Sequence, residues 1–162
     1  MKIWIDILTP KQLLFSEPIV ERLGTKHDLL CTSREYEEVS KLSKIRHFDL
    51  MFVGKHGGGD KKSKLEASIK RINKLSKKIA KFKPDVVISF GSPEAARISF
   101  GLGIKHIMFC DSPHANAVMR LTLPLIQKLL IPYIIPKKEF SKYGISEKNI
   151  VQYKAIDAVV TM

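Results

Sequence analysis

Asp85-Val86-Val87-Ile88-Ser89-Phe90-Gly91-Ser92-Pro93-Glu94-Ala95-Ala96-Arg97 decides how the rest of the chain is read. Residues 85–90 form a short, nearly continuous apolar run behind Pro84, which stops whatever helix precedes it. The run does not alternate apolar with polar. That pattern belongs to a strand covered on both faces, as in a parallel sheet. Ser92-Pro93 then reads as a helix start, with a hydroxyl at the N-cap and proline at the first helical position. Glu94 to Phe100 is the helix, closed by Gly101 and Gly103, and Ile104–Cys110 is a second strand of the same kind.

Working outward, the same alternation recurs. Residues 2–7 read as a first strand and Lys11 to about Leu23 as a helix, with a kink expected at Pro18. Asp28–Thr32 is a strand, and about Arg34 to Leu42 a helix; Phe48–Val53 is a strand. Leu65, Ile69, Ile72, Leu75, Ile79 and Phe82 recur at helical spacing and predict one long amphipathic helix. Beyond Cys110 the pattern predicts a helix through about Leu121 and a strand over Lys128–Ile135 interrupted by Pro132. A short helix near Lys138–Tyr143 and a strand near Asn149–Tyr153 follow. The expected buried strand residues are Ile3, Ile5, Leu30, Met51, Val53, Val86, Ile88, Ile107 and Phe109. The fold class is α/β: an open, doubly wound, Rossmann-like parallel sheet, one domain over residues 1–162.

The chain has 162 residues, a hydrophobic share of 44% and 28 Lys+Arg against 16 Asp+Glu, a net charge of +12. These values exclude a disordered or collagen-like chain, and no apolar run is long enough to span a bilayer. The amino terminus carries no leader-like apolar stretch, and Cys31 and Cys110 sit in apolar runs, as reduced buried thiols do. Both point to the cytoplasm. The charge is local: residues 55–83 carry a net +9. A solvated lysine face explains it most simply; a nucleic-acid or anionic-surface patch is the sharper alternative, with no aromatic interleaving to favour nucleic acid.

In a parallel sheet, ligands bind beyond the carboxyl ends of the strands. The segments leaving those ends are Thr9-Pro10-Lys11-Gln12, Ser33-Arg34-Glu35, Lys55-His56-Gly57-Gly58-Gly59-Asp60, Gly91-Ser92-Pro93-Glu94 and Asp111-Ser112-Pro113-His114. Thr9-Pro10, Ser92-Pro93 and Ser112-Pro113 share the helix-start pattern, and Thr9 with Gln12 fits a capping box. Three helix N-termini facing one crevice would suit a phosphate or carboxylate, with Lys11, Arg34, Lys55 and His56 adding charge. The glycine loop lacks the Walker A lysine, because Asp60 follows its last glycine, and serves better as a mobile lid than as a phosphate cradle. No dinucleotide fingerprint follows the first strand and no metal-ligand cluster is visible, so no cofactor and no metal are expected. His27, His47 and His106 read as structural. Asp111 and His114, three residues apart, are the candidate catalytic pair, with a capping aspartate and a solvent-facing histidine as the plain alternative.

Five segments together carry a family resemblance: Trp4-Ile5-Asp6-Ile7-Leu8-Thr9-Pro10-Lys11, Arg34-Glu35-Tyr36, Val53-Gly54-Lys55-His56-Gly57-Gly58, Ser92-Pro93-Glu94-Ala95-Ala96-Arg97 and Asp111-Ser112-Pro113-His114-Ala115. The later Pro132-Tyr133-Ile134-Ile135-Pro136 and Tyr143-Gly144 agree with them. The chain resembles an uncharacterised, mostly archaeal family of glycosyltransferase-like proteins. That family is similar to the GT-B superfamily, including the non-hydrolysing UDP-N-acetylglucosamine 2-epimerases. The resemblance implies two Rossmann-like domains, of which this sequence covers the first. A crossover to the second would begin near Tyr153-Lys154-Ala155-Ile156-Asp157.

It further implies that the chain is the acceptor-side half of a sugar-nucleotide glycosyltransferase or epimerase, not catalytic alone. Lys11, Arg34, His56, Gly57, Gly58, Ser92, Glu94 and Ser112 would bind ligand, and Asp111 and His114 would do the chemistry. The partners implied are a sugar nucleotide or other phosphorylated ligand, and a separate second-domain chain or another copy of this one. The alternatives are a non-catalytic anion or sugar-phosphate binding module and, less favoured, a nucleic-acid binder through residues 61–83.

Overall fold

The computed structural model describes residues 1–155 and divides them into two compact units, the first spanning Met1–Asp85 and the second beginning at Val86. The proposed crossover at Ile156-Asp157 lies outside the described residues. Unit 1 runs β1 (Lys2–Asp6), α1 (Pro10–Gly24), β2 (Asp28–Glu35), α2 (Glu37–Ile45), β3 (Met51–Lys55) and α3 (Lys61–Phe82). Its strands pair in parallel, β1 with β2 and β2 with β3. Unit 2 contains β4 (Val86–Ser89), α4 (Pro93–Gly101), β5 (Lys105–Phe109), α5 (Asn116–Thr122), β6 (Lys128–Pro132), α6 (Lys138–Ser141) and β7 (Ile150–Tyr153). Its strands are also parallel, in the order β4, β5, β6, β7. The class is the Rossmann-like parallel α/β architecture that the apolar runs predict.

Local chemistry accounts for the element ends. Thr9 caps α1 by accepting from the Gln12 amide at 3.3 Å, and the Gln12 side chain reaches back to the Leu8 amide at 2.7 Å. Asp60 caps α3 by accepting from the Ser63 amide at 2.9 Å, and this hydrogen bond holds its carboxyl below the usual range. Lys83 ends α3 in a left-handed conformation, φ 55°, just before Pro84. Helix α1 continues through Pro18 as one element. Pro132 ends β6 rather than interrupting it.

Unit 1 is organised around a buried polar network. Trp4 and Asp6 lie two apart on β1 and so share one face. Asp6 pairs in register with Thr32 of β2. The Thr32 hydroxyl donates to Asp6 Oδ1 at 2.6 Å and accepts from Trp4 Nε1 at 2.7 Å. Arg71 of α3 donates to the same carboxylate, Nη2 to Oδ1 at 2.6 Å and Nη1 to Oδ2 at 3.2 Å. Its Nε donates to the Val53 carbonyl of β3 at 3.0 Å. Asp6 and Arg71 are 0% and 1% exposed. The buried apolar residues of unit 1 include Ile3, Ile5, Leu13, Phe15, Val39, Val53, Leu75 and Ile79.

Unit 2 has its own core of Ala96, Met108, Met119, Leu123, Leu129, Ile131, Phe140, Ile145 and Ile150. His106 is buried between two serines, Nε2 at 2.8 Å from Ser89 Oγ and Nδ1 at 2.9 Å from Ser99 Oγ. The Ser99 hydroxyl donates to the Ala96 carbonyl, so it accepts from Nδ1–H, and Nε2 shares a hydrogen bond with the Ser89 hydroxyl. The imidazole is thereby held as a structural group.

Several expectations need correction. Strand β2 runs on to Glu35, so α2 begins three residues later than predicted. Ile3, Ile5 and Val53 are buried as expected, but Met51 is exposed and Leu30, Val86, Ile88, Ile107 and Phe109 are only half-buried, while Trp4, Val87, Met108, Leu129 and Ile131 are buried strand residues outside the expected set. Leu65 and Ile69 do not continue the buried stripe of α3, being 61% and 57% exposed.

Cys31 and Cys110 are buried thiols that are not joined in a disulfide. Burial, with Asp49 nearby, pushes Cys31 from 9.0 up to about 12. Native protein at pH 8 should therefore resist alkylation at Cys31, with rapid labelling once urea unfolds it. Because the folded state holds the thiol proton more tightly, this group removes stability as pH rises above 9. Urea midpoints measured from pH 8 to pH 10.5 should fall less for Cys31→Ser than for the parent chain.

Candidate functional site

The carboxyl edge of unit 1 is where Thr9, Tyr36 and His56 leave β1, β2 and β3. The pairing of β2 with β3 shifts register between Ser33 and Glu35, so Arg34 sits at an irregularity. Such bulges re-aim side chains at sheet edges. Arg34 is half-buried, and Lys11 is exposed in the first turn of α1. Beyond them lies a hollow of about 670 Å³ lined by Glu35, Tyr36, Glu37, Ser40, Phe52, Lys55 and His56. The Tyr36 and His56 rings meet at 5.5 Å between centroids. Lys55 Nζ lies 3.6 Å from Glu35, so part of the positive charge expected at this opening is offset locally. His56 Nδ1 accepts from the Gly58 amide at 3.2 Å, which leaves Nε2 as the protonated nitrogen of the neutral ring. Of the predicted ligand-binding residues in unit 1, the hollow gathers His56; Lys11 and Arg34 stand outside its lining.

The glycine loop is held rather than free at one point. A Cβ on Gly57 would lie 2.6 Å from Lys64 Cα and 2.8 Å from the Ser63 carbonyl oxygen, so only glycine lets the loop lie against the start of α3. Gly58, at φ 74°, has open space around its α-carbon. Sequence reasoning missed the part played by Gly54. Its φ of 77° and close approach to the Arg71 side chain, 3.0 Å from a built Cβ to Arg71 Cβ, make room for the buried arginine.

In unit 2 the carboxyl ends of β4 and β5 lead to the other predicted residues. Ser92 caps α4, accepting from the Ala95 amide at 3.1 Å, with Glu94 in the first turn and buried. The third helix-start pattern fails. Ser112-Pro113 lies in a turn, and α5 begins only at Asn116, with Ala115 in the cap position. The Ser112 hydroxyl donates to Asp111 Oδ1 at 2.8 Å. His114 is exposed. Tyr143 ties the turn down through its hydroxyl, which reaches the Pro113 carbonyl at 3.2 Å and Asn116 Oδ1. The Tyr143 anchor could have been suspected only from its place in the family-like Tyr143-Gly144 pair. Among the described residues, no group of three or more His, Cys, Asp or Glu is placed to hold a metal ion.

A family model described as a protein of unknown function, DUF354, matches residues 1–162. The chain belongs to that family. An uncharacterised protein of Methanocaldococcus jannaschii is 30% identical over 155 residues, covering 95% of this chain and 45% of the relative. This DUF354 chain thus spans about half the length of the curated relative it matches. Among solved structures, it is similar to UDP-GlcNAc 2-epimerase from M. jannaschii, with a TM-score of 0.73, 20% identity and coverage of 94% of this chain and 45% of the other. The Neisseria meningitidis UDP-GlcNAc 2-epimerase bound to UDP-GlcNAc gives 0.74, 18%, 94% and 45%. Acinetobacter baumannii MurG gives 0.66, 12%, 96% and 46%. At these identities the likeness establishes the fold: that of half of an epimerase or GT-B glycosyltransferase chain.

The close approach at Gly57 yields a direct check. Gly57→Ala should destabilise the protein by about 1–3 kcal/mol, because backbone must shift to admit the methyl group. Gly59→Ala, at a position with nothing within 4 Å, should cost much less in the same urea titration.

Proposed function

We propose that this chain is the acceptor-side half of a sugar-nucleotide glycosyltransferase or epimerase and does not turn over substrate by itself. The observation that carries the reading is the placement of chemistry-bearing residues at the carboxyl ends of parallel strands. In unit 1 these are Lys11 at the start of α1, Arg34 at the register shift and His56 at the hollow; in unit 2 they are Ser92, Glu94, Asp111, Ser112 and His114. The half-length match to epimerase and glycosyltransferase folds supports the same reading.

In this proposal the N-terminus of α1 and the Lys11 ammonium stabilise an anionic group of the ligand. Arg34 supplies a planar donor set, and His56 offers Nε2–H. Gly57 and Gly58 present loop backbone beside His56. Asp111 orients the turn that carries His114, and exposed His114 is the group available for proton transfer. The remaining phosphate and sugar contacts come from the second half of the family's chain, or from a partner that supplies it.

Calorimetry with UDP tests the binding part. Lys11→Ala should weaken UDP affinity by about 1–3 kcal/mol if its contact is a charge-assisted hydrogen bond. Unchanged affinity would count against the site. The isolated chain should show no conversion of a UDP-sugar. Conversion lost on His114→Ala would show that this half is sufficient and overturn the second clause of the proposal.

A further inference from the structure

The charged groups expected to meet one ligand at the carboxyl edge of unit 1 do not share one hollow. Lys11 and Arg34 stand outside the cavity of about 670 Å³. Its own ammonium group, on Lys55, lies 3.6 Å from Glu35. Glu37, the second carboxylate of the lining, is ion-paired with Lys41 one turn further along α2. Two carboxylates against one ammonium is the reverse of a phosphate site. What the cavity does present is aromatic surface. Tyr36 and Phe52 are half-buried in its wall and His56 is exposed. The Tyr36 and His56 rings meet at 5.5 Å, inclined by 31°. Both are held from the backbone, Tyr36 at the cap position of α2 and His56 by the Gly58 amide. Aromatic walls with a few placed polar groups, in a volume between about 300 and 1,000 Å³, are the makeup of a small-molecule site.

We propose that this hollow is the acceptor subsite and that it takes an uncharged sugar ring. The inference deepens the acceptor-side reading of the chain and rests on it. A pyranose presents a face of slightly positive C–H bonds, which suits the negative face of an aromatic ring, and a rim of hydroxyls. Those hydroxyls find acceptors in Glu35 and Glu37, whose carboxylates keep lone pairs beyond their lysine contacts. They find a donor in His56 Nε2–H, and Ser40 serves as either.

Charge then sorts the two ligands of the reaction. The anionic one is met by Lys11 and Arg34, outside the hollow, and the neutral one by the rings within it. A phosphorylated sugar gains nothing here, because Lys55 is already offset by Glu35. A nucleobase would use the same rings, but it arrives with phosphates, which the two carboxylates repel.

Proton NMR titration of the chain with a panel of uncharged methyl hexopyranosides tests the proposal, read at the His56 ring protons and by saturation transfer to the sugar. Binding is expected with a Kd of about a millimolar. Tyr36→Leu should weaken it about tenfold, while Tyr36→Phe, which keeps the ring, should change it by less than about threefold. His56→Ala, at an exposed position, should weaken it too and serves if Tyr36→Leu does not fold. Glucose 6-phosphate should bind this hollow no more tightly than the glycosides do. Absence of binding by every glycoside would overturn the inference. UDP binding in the same sample would show that the subsite has failed and not the sugar-nucleotide reading. Glycoside binding that depends on Tyr36 supports the subsite, and a loss of UDP binding beside it would count only against the nucleotide. Glycoside binding indifferent to both Tyr36→Leu and His56→Ala would overturn the inference, as would displacement of the glycosides by uridine, which would assign the rings to a base.

Discussion

The buried ion pair between Asp6 and Arg71 is the constraint on which unit 1 depends. Two charges removed from water cost several kcal/mol each unless they are paired and fully hydrogen-bonded. Here the carboxylate accepts from Arg71 at both oxygens and from Thr32, while Arg71 also donates to the Val53 carbonyl. One salt bridge therefore joins β1, β2, β3 and α3. Gly54 makes it sterically feasible, since a side chain there would meet the arginine stem. Helix α1, which carries Lys11, and the loop that carries His56 follow the ends of β1 and β3 beyond these contacts. The geometry of the candidate site in unit 1 is thus set by a pair that does not belong to the site.

Unit 2 uses a polar cluster for the same purpose. His106 links β5 to Ser89 on β4 and to Ser99 on α4, and its backbone amide donates to Gln127 Oε1 at 2.7 Å. With both ring nitrogens engaged, this histidine is unsuited to proton transfer. His114, exposed on a turn tied down by Tyr143, is the histidine of unit 2 to which the proposal gives proton transfer. The contrast shows why burial and partners, rather than residue type, separate a structural histidine from a candidate catalytic one.

The strand–helix alternation was legible because the strands are continuous apolar runs and because Thr9, Ser92 and Pro84 punctuate them with unambiguous chemistry. The failures have local causes. Ser112-Pro113 carries the same signal as Ser92-Pro93, but the chain turns there and α5 begins only at Asn116. Leu65 and Ile69 fit the helical stripe, yet both stay exposed in the first turns of α3; periodicity reports a face, not what covers it. Arg71 stands four residues before Leu75, in the stripe itself, and Asp6 ends an otherwise apolar strand. Each is a visible anomaly, but 65 residues separate them and only the fold pairs them. The site residues were legible as a set at strand ends, whereas the hollow beside Tyr36 and His56 depends on how β2 extends to Glu35.

A double-mutant cycle in urea on Asp6→Asn and Arg71→Met tests the central claim most directly. Each single change leaves a buried group without its partner and should cost about 3–5 kcal/mol, while the double variant should lose much less than the sum of the two. Small, additive losses would contradict the claim and leave the sheet and α3 held by apolar packing alone.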